Sequence, residues 1–402
     1  MKILIVSQYF WPESFRINDL VEDLVKRGNE VVVLTGKPNY PQGTFFEGYG
    51  YFTHTKDIYK GAEVFRVPLI PRGNGSGKRL ALNYLSFVLS ACVFVLFHRK
   101  KYDVTFTFAI SPITQAFPAI LHKKLYKSKA SIWMQDLWPE SVTAAGKVSS
   151  GFLMKFLNKM VRYIYRNMDK VLVQSEAFIP SVQDKGVKQT QIGYMPNWAE
   201  DLYCEHNNVL LGKYQQLIPN GFKVMFAGNI GEAQDFESLI KAAEKTREIS
   251  EIKWIIVGDG RKRTWAESEI LRLDLQDTVF FLGRFSLVDM PNFFVHADAM
   301  LVSLKAEEIF SMTIPAKVQS YLAFGKPILG MLNGIGAKVI KDANCGYVSN
   351  AGDFVSLSDN VVRLYHEDNI IRNQKGLNGK QYYNQHFSKK IIIDNLIDAF
   401  EK

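Results

Sequence analysis

Three glycine-bearing loops follow successive apolar, strand-like runs in the second half of the chain. The first begins at Gly228, the second reads Gly258-Asp259-Gly260-Arg261, and the third starts Gly283-Arg284-Phe285. Glycine lets a phosphate or a flat ring approach the backbone, and N–H groups at a helix start favour an anion. Three such loops together predict a nucleotide site. The alternative for each loop alone is a tight turn, which in the second loop carries an exposed arginine.

Two lysines lie in the segment that follows these loops. Lys305 comes just after a strand-like run, and Lys317 comes just after Pro315, which suits the first turn of a helix. Gly325 and Pro327 then fit the end of that helix. A lysine beside a helix N-terminus can hold a diphosphate, so Lys317 is a candidate catalytic residue. The alternative is a solvated surface lysine.

A carboxylate follows an apolar run in the first half of the chain. Asp136 comes two residues after Met134, at the expected carboxyl end of a strand. There it would contact a sugar hydroxyl or assist proton transfer, whereas the alternative role is a helix cap. No Ser-His-Asp arrangement is apparent in the sequence.

Two α/β halves must position these residues. The predicted strands are 2–7, 30–35, 103–108, 130–134 and 170–174 in the first half, and 223–227, 254–257, 278–282, 299–304 and 327–330 in the second. Helices are predicted at 17–27 and 236–249, and a linker at 194–201. The alternation predicts two doubly wound α/β domains facing across a cleft. We expect domains at 1–198 and 199–380, with a C-terminal helix at 381–402 that packs back on the first domain.

Composition agrees with a two-domain globular protein of 402 residues, 47% hydrophobic and 22% charged. The net charge of +9 favours anionic partners, although surplus surface lysine is the alternative. The cysteines Cys92, Cys204 and Cys345 show no metal-ligand spacing, which fits a reducing compartment. The first apolar run is too short for a signal peptide, so we expect a cytoplasmic protein.

Two segments are candidates for membrane contact. Residues 80–97 are apolar, but they lie inside the first α/β half, so we expect a buried or interfacial helix rather than a span. In residues 151–168 the bases Lys155, Lys159, Arg162 and Arg166 lie opposite an apolar stripe. This pattern predicts a basic amphipathic helix on an anionic membrane surface. An ordinary surface helix with its apolar face in the core is the alternative.

The chain resembles family 4 glycosyltransferases, which have the GT-B fold. The residues that carry this resemblance are SQYFWPE (7–13), GNIG (228–231), VGDG (257–260), FLGR (281–284) and AFGKP (323–327). More closely, FRIND (15–19), TGKPNYP (35–41), DLWPES (136–141) and PNW (196–198) look like the L-fucosamine (FucNAc) transferases of O-antigen and capsule synthesis.

The resemblance implies a retaining, metal-independent transfer from a UDP-sugar to a saccharide on undecaprenyl diphosphate. It implies no nucleic-acid partner and a place at the inner face of the cytoplasmic membrane. The second domain would bind the donor through Gly228, Asn229, Gly231, Gln234, Gly258, Asp259, Gly260, Arg261, Arg284, Phe285, Lys305, Ser311, Met312, Lys317 and Gln319. The first would bind the acceptor through Glu13, Ser14, Arg16 and Asn39, with Asp136 and Lys317 as catalytic residues.

Departures from the family pattern leave two other functions open. Ser311 and Gln319 stand where the family often has two glutamates, the second of which holds the ribose. Asn229 and Gln234 replace the usual arginine and lysine, and Asp136 replaces a histidine. A nucleotide-sugar epimerase on the same fold is therefore one alternative. A non-catalytic nucleotide-sugar-binding protein of a polysaccharide assembly complex is the other.

Overall fold

The computed structural model describes residues 1–141, 151–205 and 212–401, which form two α/β units. Unit 1 contains Met1–Pro196 and Ile393–Lys402, and unit 2 contains Asn197–Ile392. The division thus falls two residues before the predicted boundary and inside the predicted linker. The predicted boundary at 380/381 falls within the helix Asn369–His386, so the chain rejoins unit 1 later than we expected.

Unit 1 is built on an eight-stranded sheet. Its strands are β1 (Lys2–Val6), β2 (Glu30–Gly36), β3 (Lys56–Tyr59), β4 (Ala62–Val67), β5 (Val104–Ala109), β6 (Lys129–Met134), β7 (Lys170–Val173) and β8 (Ile192–Tyr194). Their order is β3-β4-β2-β1-β5-β6-β7-β8, and only the β3–β4 pair is antiparallel. The five predicted strands are confirmed. Strands β3, β4 and β8 were not predicted, because β3 and β8 are short edge strands and β4 carries Glu63 and Arg66.

The helices of unit 1 cover this sheet. They are α1 (Arg16–Lys26), α2 (Gly77–His98), α3 (Phe117–Tyr126), α4 (Gly151–Arg166) and α5 (Ile179–Asp184), and the unit ends with the last residues of the C-terminal helix, whose full range is Lys389–Glu401. The predicted helix at 17–27 is confirmed as α1, shifted by one residue. Its buried residues Ile17, Leu20, Val21 and Leu24 recur at helical spacing and face the core.

Helix α2 has two apolar faces. One face is buried and includes Leu80, Phe87, Ala91 and Val95, and the last three of these pack in the core beside β2 and β4. The opposite face is apolar and exposed, with Phe97 76% accessible. Within the described residues α2 is the one helix long and apolar enough to cross a membrane by length and composition. Since one face of α2 packs on the sheet, its position agrees with the predicted buried or interfacial helix.

Unit 2 is built on a six-stranded, fully parallel sheet. Its strands are β9 (Phe222–Ala227), β10 (Ile252–Val257), β11 (Val279–Gly283), β12 (Ala299–Ser303), β13 (Ile328–Met331) and β14 (Gly346–Ser349). Their order, β11-β10-β9-β12-β13-β14, is that of a nucleotide-binding doubly wound fold. The chain reverses direction across the sheet between β9 and β12, where such folds place their ligands. All five predicted strands are confirmed, and β14 was missed.

Helices cover both faces of the second sheet. They are α6 (Asp201–Cys204), α7 (Phe236–Lys245), α8 (Arg263–Arg272), α9 (Met290–Phe294), α10 (Glu308–Ser311), α11 (Ala316–Phe324), α12 (Gly334–Asp342), α13 (Phe354–His366) and α14 (Asn369–His386). Helix α7 is shorter than predicted. Helix α11 begins after Pro315 and ends at Gly325, which has a φ of +80°, as the sequence predicts.

Candidate active site

Unit 2 contains a cavity of about 850 Å³ at the carboxyl ends of β9, β10 and β11. Such a volume lies in the range of small-molecule sites, ~300–1,000 Å³. Nine residues predicted from the sequence line it: Gly228, Asn229, Gly258, Asp259, Gly260, Arg261, Arg284, Phe285 and Lys317.

Glycine is required where the first two loops touch. Gly258 has a φ of +154°, and a Cβ there would lie 1.9 Å from the carbonyl oxygen of Gly228. A Cβ at Gly228 would in turn lie 2.6 Å from Cε of Lys317. The loops also bond to each other, because the N–H of Ile230 donates to the carbonyl of Asp259 at 2.8 Å. The backbone therefore forms this wall of the cavity itself.

Lys317 lines the cavity near the start of α11. It is the second residue of α11, and its Nζ lies 3.8 Å from the ring centroid of Phe226. In the described part of the chain it forms no ion pair, and burial lowers its pKa to about 7. An anion in the cavity would stabilise its charged form.

Two exposed arginines add to the positive charge. Arg261 and Arg284 line the cavity after β10 and β11, and among the described residues neither has an ion-pair partner. The neighbouring Arg263 instead pairs with Glu267 at 2.8 Å. Guanidinium groups bind phosphate oxygens through paired hydrogen bonds, so this cavity suits a diphosphate.

An aromatic wall lies beside Arg284. Phe285 lines the cavity and packs against Tyr214 and Phe293, with ring centroids 5.1 and 4.5 Å apart. These contacts fix the Phe285 ring at the cavity wall, where it suits a flat ligand ring.

Lys305 and two predicted residues of the first loop, Gly231 and Gln234, do not line the cavity. Lys305 pairs with Glu232 at 2.5 Å, and this carboxylate raises the pKa of the lysine. Gln234 folds back so that its Oε1 accepts from the N–H of Gly231 at 3.3 Å. These side chains hold the loop and do not face the site.

The residues predicted from the family glutamates also lie elsewhere. Ser311 donates its hydroxyl to the carbonyl of Glu308 at 2.7 Å, and Met312 does not line the cavity. Gln319 is buried and donates its amide to the carbonyl of Asn197. On α11 it is Ser320 that faces the cavity with Lys317, because neighbouring helix positions are about 100° apart.

In unit 1 Asp136 lies beyond the carboxyl end of β6. Its Oδ2 accepts from the backbone N–H of Ser111 at 2.9 Å and from the Ser111 hydroxyl at 2.8 Å. The indole N–H of Trp138 donates to the same hydroxyl at 3.1 Å. Asp136 is thus held in one orientation at the edge of the sheet.

Of the predicted acceptor residues, Glu13 and Asn39 are buried, Arg16 is partly buried and Ser14 is exposed. Glu13 is buried and its Oε1 accepts from the N–H groups of Asn39 and Tyr40 at 2.8 and 2.7 Å. Burial raises the pKa of Glu13 to about 7. Ser14 is exposed, and Arg16 pairs with Asp19 at 3.1 Å. Glu13 therefore ties two loops together, while Ser14 remains accessible.

Comparison with known proteins assigns the chain to a class of enzyme. Residues 14–198 match the family model described as "Glycosyl transferase 4-like domain", and residues 213–382 match "Glycosyl transferases group 1". The protein is a glycosyltransferase of the GT-B fold. The predicted fold is thereby confirmed, and a transferase is favoured over the epimerase and non-catalytic alternatives.

This glycosyltransferase is also similar to individual named proteins. WcaI of Escherichia coli, named as a colanic acid biosynthesis glycosyl transferase, is 28% identical over 81% of this chain and 82% of its own. N-acetyl-alpha-D-glucosaminyl L-malate synthase of Bacillus anthracis is 22% identical over 70% of each chain. The crystal structure of Anabaena HepE in complex with UDP aligns over 100% of both chains, with a TM-score of 0.71 and 16% identity.

The cavity of this glycosyltransferase is also lined by residues that were not predicted from the sequence. Glu200 and Tyr203 come from the start of unit 2, and Ser320 and Tyr321 come from α11. The spacing of Ser320 and Tyr321 from Lys317 was the available signal, since residues three or four apart share a helix face. Glu200 carried no such signal, because its place depends on how the linker packs.

Proposed function

We propose that this glycosyltransferase takes a sugar from a UDP-sugar bound in the cavity of unit 2. The observation that carries the proposal is the set of three cations, Lys317, Arg261 and Arg284, which face a glycine-walled cavity and have no acidic partners among the described residues. A diphosphate supplies the missing negative charge, and the glycine loops give it close access to the backbone.

Structural neighbours support uracil as the base of the donor nucleotide. Besides HepE with UDP, neighbours include HepE with UDP-glucose and an E. coli trehalose-6-phosphate protein bound with UDP-2-fluoro glucose. N-acetyl-L-fucosamine as the sugar rests on the four motifs that resemble FucNAc transferases, among them DLWPES at 136–141.

The proposed chemistry is a retaining transfer in which UDP leaves. Negative charge develops on the departing phosphate, and the Lys317 ammonium and the Arg261 guanidinium stabilise it. The acceptor hydroxyl attacks from the face that UDP leaves, and its proton passes to the departing phosphate oxygen. These side chains supply the countercharge, so we propose that no metal is required.

The proposed acceptor is a saccharide on undecaprenyl diphosphate, used for O-antigen or capsule synthesis. The relationship to WcaI supports a place in polysaccharide synthesis. We propose that the protein lies at the inner face of the cytoplasmic membrane through α4. On this helix Lys155 and Lys159 are exposed beside the exposed apolar residues Phe152 and Phe156.

One experiment tests donor, acceptor and stereochemistry together. The full chain is incubated with GlcNAc-diphosphoundecaprenol and one donor at a time. The donors are UDP-FucNAc, UDP-GlcNAc, UDP-glucose and a GDP-sugar. Mass spectrometry is expected to show sugar addition with UDP-FucNAc, and NMR of the product is expected to show the anomeric configuration of the donor. Addition from the GDP-sugar alone, or an inverted product, would contradict the proposal. Release of a free epimerised UDP-sugar without acceptor would identify an epimerase instead.

A further inference from the structure

A second cavity, of about 730 Å³, lies in unit 1 and is apolar. Its walls come from three places: Leu85 and Val88 of α2, Pro112 and Phe117 after β5, and Phe156 and Met160 of α4. Its volume lies within the range of ordinary small-molecule sites, ~300–1,000 Å³. It shares no residue with the cavity of unit 2.

One part of this cavity borders the polar edge of the first sheet. Trp138 lines the cavity, while its indole N–H donates to the Ser111 hydroxyl that in turn donates to Asp136. Tyr84 also lines the cavity and lies within electrostatic reach of Arg72 and Asp136. A ligand whose apolar part fills the cavity would therefore carry any polar group beside Asp136.

Another part of the cavity borders exposed apolar surface. Leu85 and Phe156 line the cavity and are both 57% exposed, and Phe152 on α4 is 83% exposed. Lys159 lines the cavity beside them. Apolar side chains next to an exposed lysine are typical of a surface that rests on anionic lipid.

We propose that this cavity binds the prenyl chain of a lipid-linked acceptor and so places the saccharide beside Asp136. The assignment rests on the proposed acceptor class. A hydrocarbon chain fits these walls better than a peptide, whose backbone N–H and C=O groups would find few polar partners there. The charged diphosphate would lie near Arg72, outside the apolar part and on the same side of the cavity as Asp136.

Two leucines on α2 allow the role of the cavity to be tested separately from that of the surrounding surface. Leu85 lines the cavity and Leu89, one turn later, does not, yet their exposed fractions are 57% and 59%. We expect Leu85→Gln to raise the KM for the undecaprenyl-linked acceptor about tenfold or more, and Leu89→Gln to change it less than about twofold. With the same saccharide diphosphate on a two-carbon chain, neither variant should change the KM. Equal effects of both variants, or no effect of Leu85→Gln, would overturn the assignment.

A binding measurement separates this assignment from the transfer reaction. We expect 2-bromododecyl phosphate to quench tryptophan fluorescence of the full chain, because its bromine, next to the phosphate, would lie near Trp138. Quenching should weaken in Trp138→Phe and in Leu85→Gln, but not in Leu89→Gln, while UDP binding stays unchanged in all three. Each methylene removed from the probe should weaken binding about fourfold. Quenching that is unaffected by Trp138→Phe would overturn the assignment, whereas absent sugar transfer with intact quenching would contradict the proposed function alone.

Discussion

The two units share the order of their central strands but differ in the residues that come directly after them. After β9 comes Gly228, which leaves space at the sheet edge. After β1 come Ser7 and Gln8, both fully buried, and the N–H of Gln8 donates to Oε1 of Gln115 at 2.8 Å. The same topology can therefore be open or filled at its carboxyl edge, according to the side chains at the end of the strand.

The charges at the two edges differ in the same way. In unit 1 Arg66 is buried, and its guanidinium donates to Asp57 at 2.7 Å and to the carbonyl of Trp11 at 2.7 Å. In unit 2 Arg261 and Arg284 have no such partners among the described residues. Cations that are already satisfied hold a structure together, whereas cations without partners are available to a ligand.

The largest expected effect is on turnover when Lys317 is removed. Lys317→Ala should lower kcat about 10²–10³-fold, the usual cost of losing one donor to a developing negative charge. Lys305→Ala is the matched control and should change kcat less than about threefold, because an exposed ion pair contributes little. Steady-state kinetics with the accepted donor measures both, and equal losses would remove the distinction between the two lysines.

A Cβ at the contact of the two glycine loops should destabilise the protein. Gly258→Ala would bring its Cβ against the Gly228 carbonyl, and we expect a loss of about 3 kcal/mol in the free energy of unfolding and of detectable UDP binding. Gly77→Ala, whose Cβ would meet no atom within 4 Å, should change stability by less than about 1 kcal/mol. Chemical denaturation followed by calorimetric titration tests this, and normal UDP affinity in Gly258→Ala would contradict it.

Removing Glu13 tests whether the edge of unit 1 is structural. Glu13→Ala leaves the N–H groups of Asn39, Tyr40 and Phe10 without their acceptor, which should cost about 2–4 kcal/mol of stability. Ser14→Ala changes the exposed neighbouring residue and should lower stability by less than about 0.5 kcal/mol. A raised KM for the acceptor with unchanged stability in Glu13→Ala would instead make Glu13 an acceptor-binding residue.

The two arginines of unit 2 should each contribute moderately to nucleotide affinity. Arg261→Ala and Arg284→Ala should each raise the Kd for UDP about tenfold, equal to about 1.4 kcal/mol. Arg263→Ala should change it less than about threefold, because Arg263 already pairs with Glu267. Isothermal titration measures the three constants, and an equal effect at position 263 would show that the loss comes from general surface charge.

The smallest expected effect is a pH dependence of donor binding. Because burial lowers the pKa of Lys317 to about 7, a growing fraction of the free protein carries a neutral Lys317 above that pH. Binding the diphosphate of UDP-glucose then requires uptake of one proton, so affinity should fall about fivefold between pH 7 and pH 8. Titrations in buffers of different ionisation enthalpy count the protons. Lys317→Arg should take up none, and an uptake that persists in this variant would assign it to another group.

The sequence predicts the core of the fold well and the details of the site less well. Buried parallel strands such as β1 and β9 are short apolar runs that are visible without a structure. The positions of glycines after those strands were equally visible, and the loops that they begin place eight of the fifteen predicted donor residues in the cavity; Lys317, after Pro315, is the ninth. Lys305 was misplaced because its partner Glu232 comes from a different loop. Gln319 was predicted from the position of a family glutamate, but Ser320 lines the cavity instead, because successive residues of a helix point about 100° apart.

The return of the chain to unit 1 has a consequence for biosynthesis. Residues 393–402 supply Phe400, which packs on Phe106, and Asp394, which pairs with Arg27. Ribosomes deliver these residues after unit 2, so the N-terminal unit waits for this segment until the whole of unit 2 has emerged. The half of the enzyme that is translated first is therefore the half that is completed last.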